Sequence, residues 1–312
     1  MLLAIANALT PVFLLIALGW AFCHWAFLSP SGLQEIARLT YWVGLPCLLF
    51  SKIAGTPLTL APAGDLVVVT AGATVAGIGF SYLAAMAIGI PWTSTGTFVQ
   101  AAFRGNLAFV GLPVIVYAFA KTGDNASLAQ TNALLVFGPM VALYNVAAVL
   151  VLLLSRDPSN RQAVRRMLKE LLLNPLLLAC LTGALYSASQ WPQPPLLARS
   201  FTALGQMALP LALLCLGGSL AVLPGKSHLG WPVGAAVIKT ALIPLLGFLF
   251  ARGLGLDAAS IRIALLLLAC PTAAASYVLV NQLGGDDSLA ASAILFSTVL
   301  AAPSLALIIA LT

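Results

Sequence analysis

The sequence predicts an all-α membrane protein: ten transmembrane helices in two inverted five-helix repeats, with broken helices 4 and 9 crossing. Three observations predict it. Of 312 residues, 61% are hydrophobic and 7% charged, against about 45–50% and about 25% in an ordinary soluble domain. The apolar runs have the length of a spanning helix, about 20 residues, and not the ~9–11 of a barrel strand. The same motifs also recur in order along the chain at a nearly constant offset. Backbone polar groups in lipid must be satisfied within their own segment, so these runs are helices.

Breaks in the hydrophobic pattern give the segments in order. The first, 3–27, has no basic leader and too long an apolar run for a signal peptide, and is read as a span. The second, 32–54, carries Glu35 and Arg38 near its start, an expected i,i+3 pair, and then Leu45-Pro46. The third is 64–90, with Asp65 at its edge. The fourth, 96–120, contains Arg104 nine residues before Pro113. The fifth, 127–155, follows a Gly123-Asp124 turn. A loop, 156–170, then holds Arg156, Arg161, Arg165, Arg166 and Lys169.

The sixth segment, 171–190, opens on Leu173-Asn174-Pro175, and the seventh, 198–222, carries Leu209-Pro210. The eighth, 229–252, holds Lys239 at mid-span. The ninth, 259–283, has Arg262 nine residues before Pro271. The tenth, 287–311, follows a Gly285-Asp286 turn. The acids Asp65, Asp124, Asp286 and Asp287 all fall at span ends, where they are expected as solvated caps.

The five basic residues of the 156–170 loop place it in the cytoplasm. Five spans on each side then put both termini outside, in a cell (inner) membrane protein. Lys52, Lys121, Arg199 and Arg252 fall on the outer side, against Lys226 inside, and are less decisive.

The repeat is the most informative feature. Pro11 and Pro175, Gly19 and Gly183, and Pro46 and Pro210 are each 164 residues apart. Arg104 and Arg262, and Pro113 and Pro271, are 158 apart. The repeats are 1–155 and 171–312. An odd number of spans per repeat inverts the second half, an architecture of secondary transporters. Matched interruptions are the best pointer to a transporter's site. The expected breaks are therefore at Pro113 and Pro271, where helices 4 and 9 cross. Asn106 and Gly111 neighbour the first, and Thr272 and Ser276 the second. Free N–H groups at such half-helix ends favour an anion and free carbonyls a cation.

Lys239 is a lone intramembrane ammonium with two readings: attraction of an anionic substrate, or bonding to backbone carbonyls in a packed bundle. Arg104 and Arg262 are expected to orient the crossing helices. Pro46 and Pro210 are structural. Asn132, Asn145 and Asn281 are expected as interhelical glue. The tryptophans fall near span ends, as an interfacial belt.

Other classes are excluded or disfavoured. No basic face is available for nucleic acid beyond one short loop. Five scattered cysteines form no CxxC pair, so neither zinc nor a disulfide is expected. There is no HExxH or GxSxG, and His24 and His228 are the only histidines, so an intramembrane enzyme is disfavoured and no cofactor is expected.

The stretch Phe103-Arg104-Gly105-Asn106-Leu107-Ala108-Phe109-Val110-Gly111-Leu112-Pro113 resembles the helix 4 signature of the auxin efflux carrier family. The run from Tyr41 through Gly44-Leu45-Pro46 to Phe50 is similar to that family's helix 2. Leu214 to Leu220 and the closing stretch from Gly285 to Thr298 also resemble it.

The resemblance implies a scaffold of helices 1, 2, 6 and 7, often dimerising, and a moving transport domain of helices 3–5 and 8–10. Plant members export indole-acetic acid; bacterial members are associated with malate and malonate. It maps Asn106, Pro113 and Pro271 onto substrate-site positions. The long hydrophilic central loop of some plant members is missing. The expected function is a secondary carrier of small organic anions working by an elevator motion, as a homodimer. The alternative is a symporter or antiporter of the same architecture that uses H+ or Na+ as a coupling ion.

Overall fold

The computed structural model describes residues 2–54, 60–119, 125–155, 173–191, 193–222 and 229–312. The basic loop that sets the expected orientation lies outside the described residues, as do Lys121, Asp124 and Lys226. Helices α1 (Leu2–His24), α2 (30–54) and α3 (Leu60–Ala87) come first. The fourth segment is two helices, α4 (Trp92–Phe103) and α5 (107–118). Helix α6 (Asn125–Leu154) closes the first half. The second half has α7 (Pro175–Ser189), α8 (Pro195–Val222) and α9 (230–253). Its ninth segment is again split, into α10 (Ala258–Leu268) and α11 (Ala275–Leu283), before α12 (Asp287–Leu311).

Among the described residues, five stretches are long and apolar enough to cross a membrane: Ala63–Ala87, Gln130–Leu154, Pro195–Val222, Gly230–Gly253 and Asp287–Leu311. Large apolar side chains such as Leu83, Met86, Leu185 and Val299 are exposed on the outside of the bundle. Trp20, Trp25, Trp42, Trp92 and Trp191 are exposed as well. Apolar surface of this extent is foreign to a monomeric soluble protein and natural in lipid.

Proline does two different things here. Three π-helical turns, Thr40–Gly44, Leu107–Gly111 and Ile238–Leu242, each end two residues before a proline: Pro46, Pro113 and Pro244. A proline ring clashes with the carbonyl four residues back and cannot donate to it; a wider turn relieves the clash without breaking the helix. The carbonyl freed by Pro244 is that of Thr240, and Ser304 Oγ donates to it. The break expected at Pro113 therefore falls earlier, at Arg104–Asn106, while Pro113 sits in the first turn of a continuing helix. Pro271 does lie in a true break, and Pro210 is carried inside the unbroken α8.

Two packing groups are evident. Helix α1 runs against α8, and α2 against both α7 and α8. Gly19 lies on the backbone of Leu214, and Gly217 on that of Ile16, so a Cβ at either would overlap main-chain atoms. Close approach through small residues is the usual way membrane helices gain contact area. In the other group, α3 packs on α9, α4 on α6 and α9, and α9 on α12.

The expected Glu35–Arg38 pair is not formed, since no ion pair joins them. Instead, helix α2 is capped by Ser29, whose Oγ accepts from Gly32 N. The capping expectation holds for Asp286, whose Oδ1 accepts from Leu289 N at 3.0 Å and whose Oδ2 accepts from Ser94 Oγ at 2.9 Å.

Candidate functional site

The two breaks meet. Gly105 and Thr272 face each other as an antiparallel pair. Asn106 N donates to Pro271 O at 2.7 Å, and Ala273 N donates to Arg104 O at 2.9 Å. Each interrupted segment thereby satisfies part of what the other's interruption left open. The pairing offset, 272 − 105 = 167, differs from the 158 at which the arginines and prolines of these two segments repeat.

Local chemistry explains both breaks. Arg104 is extended (φ −76°, ψ 92°) and is followed by Gly105, a poor helix residue. Asn106 restarts the helix as its N-cap, with Oδ1 accepting from Phe109 N at 3.2 Å. In the second break, Pro271 disfavours helical backbone at the residue before it. Thr272 then locks the pair: its N donates to Ser297 Oγ at 2.9 Å and its Oγ1 to Ala101 O at 2.7 Å.

A cavity of about 430 Å³ opens on the paired breaks. Residues 104–109 and 273–275 form one wall. Gln34 and Tyr41 from α2, Tyr144 and Asn145 from α6, and Leu216 and Ser219 from α8 face them. The Arg104 guanidinium donates to Asn145 Oδ1 at 2.7 Å and to Ala275 O at 3.3 Å. Asn106 is buried, and its Nδ2 has no partner. The N–H groups of Leu107 and Ala108, at the start of α5, and of Ala274 and Ala275, at the start of α11, are likewise unbonded among the described residues. Among the described residues no carboxylate lines the cavity. It therefore presents one guanidinium, one unpartnered amide donor and two helix N-termini, groups whose chemistry suits an anion.

Of the residues singled out from the sequence, Arg104 and Asn106 line the cavity. Gly111, Pro113, Pro271, Thr272, Ser276 and Lys239 do not. Gly111 packs where a Cβ would lie 3.1 Å from Cys270 Sγ. Ser276 is buried with an unpartnered Oγ. Lys239 is fully buried behind the breaks, and its Nζ donates to Leu268 O.

Arg104 and Arg262 do not share a role. Arg262 lies on α10, its guanidinium carbon 5.3 Å from the centre of the Phe119 ring. The breaks pair at an offset of 167 and the arginines repeat at 158, so Arg262 lies nine residues before the position that pairs as Arg104 does. The cavity-facing Gln34 and Tyr144 carried no signal in the sequence, and Tyr41 and Ser219 lay in family-like stretches with no role assigned to them. Asn145 was legible only as interhelical glue, which it is, through Arg104.

The fold and this site define a membrane transport protein. A family model described as membrane transport protein matches residues 4–156 and again 139–309. The chain belongs to that family, the auxin efflux carriers that its helix 4 motif resembles. A protein of Rhizobium meliloti (strain 1021) named "Putative malonate transporter" is 24% identical over 305 residues, 95% of this chain and 92% of the relative.

Proposed function

We propose that the chain is a secondary carrier of small organic anions, with malate, malonate and auxin-like carboxylates as the candidate class. The anion sits in the cavity at the paired breaks, between Arg104, Asn106 and the N-termini of α5 and α11. The ten segments act as ten spans. Helices α1, α2, α7 and α8 form a scaffold that pairs in a homodimer, and the remaining helices carry the site past it in an elevator motion. The carrying observation is the cavity's charge inventory: the Arg104 guanidinium and unbonded N–H groups, with no carboxylate. The cavity's place supports the motion, because residues of both packing groups line it: Gln34, Tyr41, Leu216 and Ser219 from α2 and α8, against Arg104, Tyr144 and Asn145 from α4 and α6. The malonate assignment printed for the Rhizobium relative supports the substrate class.

Purified protein in proteoliposomes, given labelled malate, malonate and indole-acetate in parallel, tests this. Saturable flux of at least one, reduced in Asn106→Ala, is expected. No flux of any carboxylate, or flux indifferent to Asn106→Ala, would refute it.

A further inference from the structure

Lys239 takes the second of its two expected readings, a bond to a backbone carbonyl in the packed bundle. It is fully buried and does not line the cavity. Its Nζ donates to Leu268 O, the last residue of α10, where the second break leaves helix carbonyls without a partner. Gly105 closes over it: a Cβ there would lie 3.2 Å from Lys239 Cε and 3.3 Å from Nζ. Of the neighbouring polar groups, the Cys270 thiol is occupied, donating to Leu266 O at 3.1 Å. No carboxylate among the described residues pairs with the ammonium. Among the described residues, the counter-charge it meets is the negative end of α10.

Broken-helix carriers hold a coupling cation at such carbonyl ends. We propose that the Lys239 ammonium is a resident cation: it fills the cation place at the α10 C-terminus, so the carrier works without a bound coupling ion. The π-helical turn Ile238–Leu242 sets the side chain in this position. A tethered ammonium cannot leave, so it moves with the transport domain in both directions and adds no driving force. This rests on the carrier reading above, and it refines that reading by assigning the coupling.

The test uses Lys239→Ala, which vacates the place, and Lys239→Met, which fills it without charge. Thermal unfolding of purified protein is measured in sodium, lithium, ammonium or choline chloride. Flux is measured with and without sodium and proton gradients. Wild-type unfolding is expected to be indifferent to the cation, and wild-type flux to follow only the substrate gradient. Lys239→Ala should unfold at lower temperature, be raised selectively by a small cation over choline, and lose about tenfold or more in flux without one. Lys239→Met should show no such rescue.

Sodium-dependent stabilisation of the wild type, wild-type flux driven by a sodium or proton gradient, or a Lys239→Ala protein indifferent to all cations would each overturn the proposal. Should Lys239→Ala not fold, the wild-type unfolding series decides. That series needs no transport, so it also separates failure of this proposal from failure of the carrier reading.

Discussion

The two breaks share a backbone arrangement and differ in chemistry. The first, Arg104 to Asn106, gives the cavity a guanidinium and an unpartnered amide. The second gives it only Ala273, Ala274 and Ala275. The polar side chain of the second break, Thr272, turns instead toward α4 and α12 and is spent on structure. An inverted repeat duplicates the geometry of a broken helix, not its side chains. In this protein one copy gives the cavity polar side chains, while the other gives it only backbone groups and holds the pair together.

That contrast can be broken or sharpened by substitution. Arg104→Met removes the cavity's one full charge and should lower carboxylate flux roughly a hundredfold, since a charge-assisted hydrogen bond contributes about 3 kcal/mol at most. Arg104→Lys should recover only part, because an ammonium cannot span Asn145 and Ala275 as the planar fork does. Asn106→Asp keeps the cap on Phe109 N but exchanges a donor for a negative charge. KM should rise about tenfold or more with helix content unchanged, which flux titration and circular dichroism check together.

Thr272→Val should act the other way. Loss of the bond to Ala101 O costs about 1–2 kcal/mol, read as a lower unfolding temperature, while KM stays put. Arg262→Gln is the smallest. It gives up a cation–π contact of about 1 kcal/mol or less and should leave flux unaltered. An Arg262→Gln protein with a raised KM would restore the symmetric role that the sequence suggested.

Much of this was legible before any coordinates. Helices of the right length, two repeats, and interruptions in the fourth and ninth segments all follow from hydropathy and matched motifs, because lipid imposes them on the sequence. Asn106, which lines the cavity, was legible through its place near the interruption. The location of the first break was not. Pro113 is the conspicuous breaker, but a proline can be absorbed by a π-turn, and only tertiary context shows which outcome applies. The pairing of Gly105 with Thr272 is long-range and leaves no local trace. The same holds for the far wall of the cavity: Gln34 has no motif around it, and the motifs around Tyr41 and Ser219 do not say that the two face one cavity. The equivalence drawn between Arg104 and Arg262 failed because the breaks pair at an offset of 167 while the arginines repeat at 158.

The central claim is that the first break binds and the second holds. Equilibrium binding of labelled malate, malonate and indole-acetate to purified wild type, Arg104→Met and Thr272→Val tests it most directly. The account predicts that the ligand bound by the wild type is lost in Arg104→Met and retained, at unchanged affinity, in Thr272→Val. Binding that survives Arg104→Met and is lost in a folded Thr272→Val would contradict it.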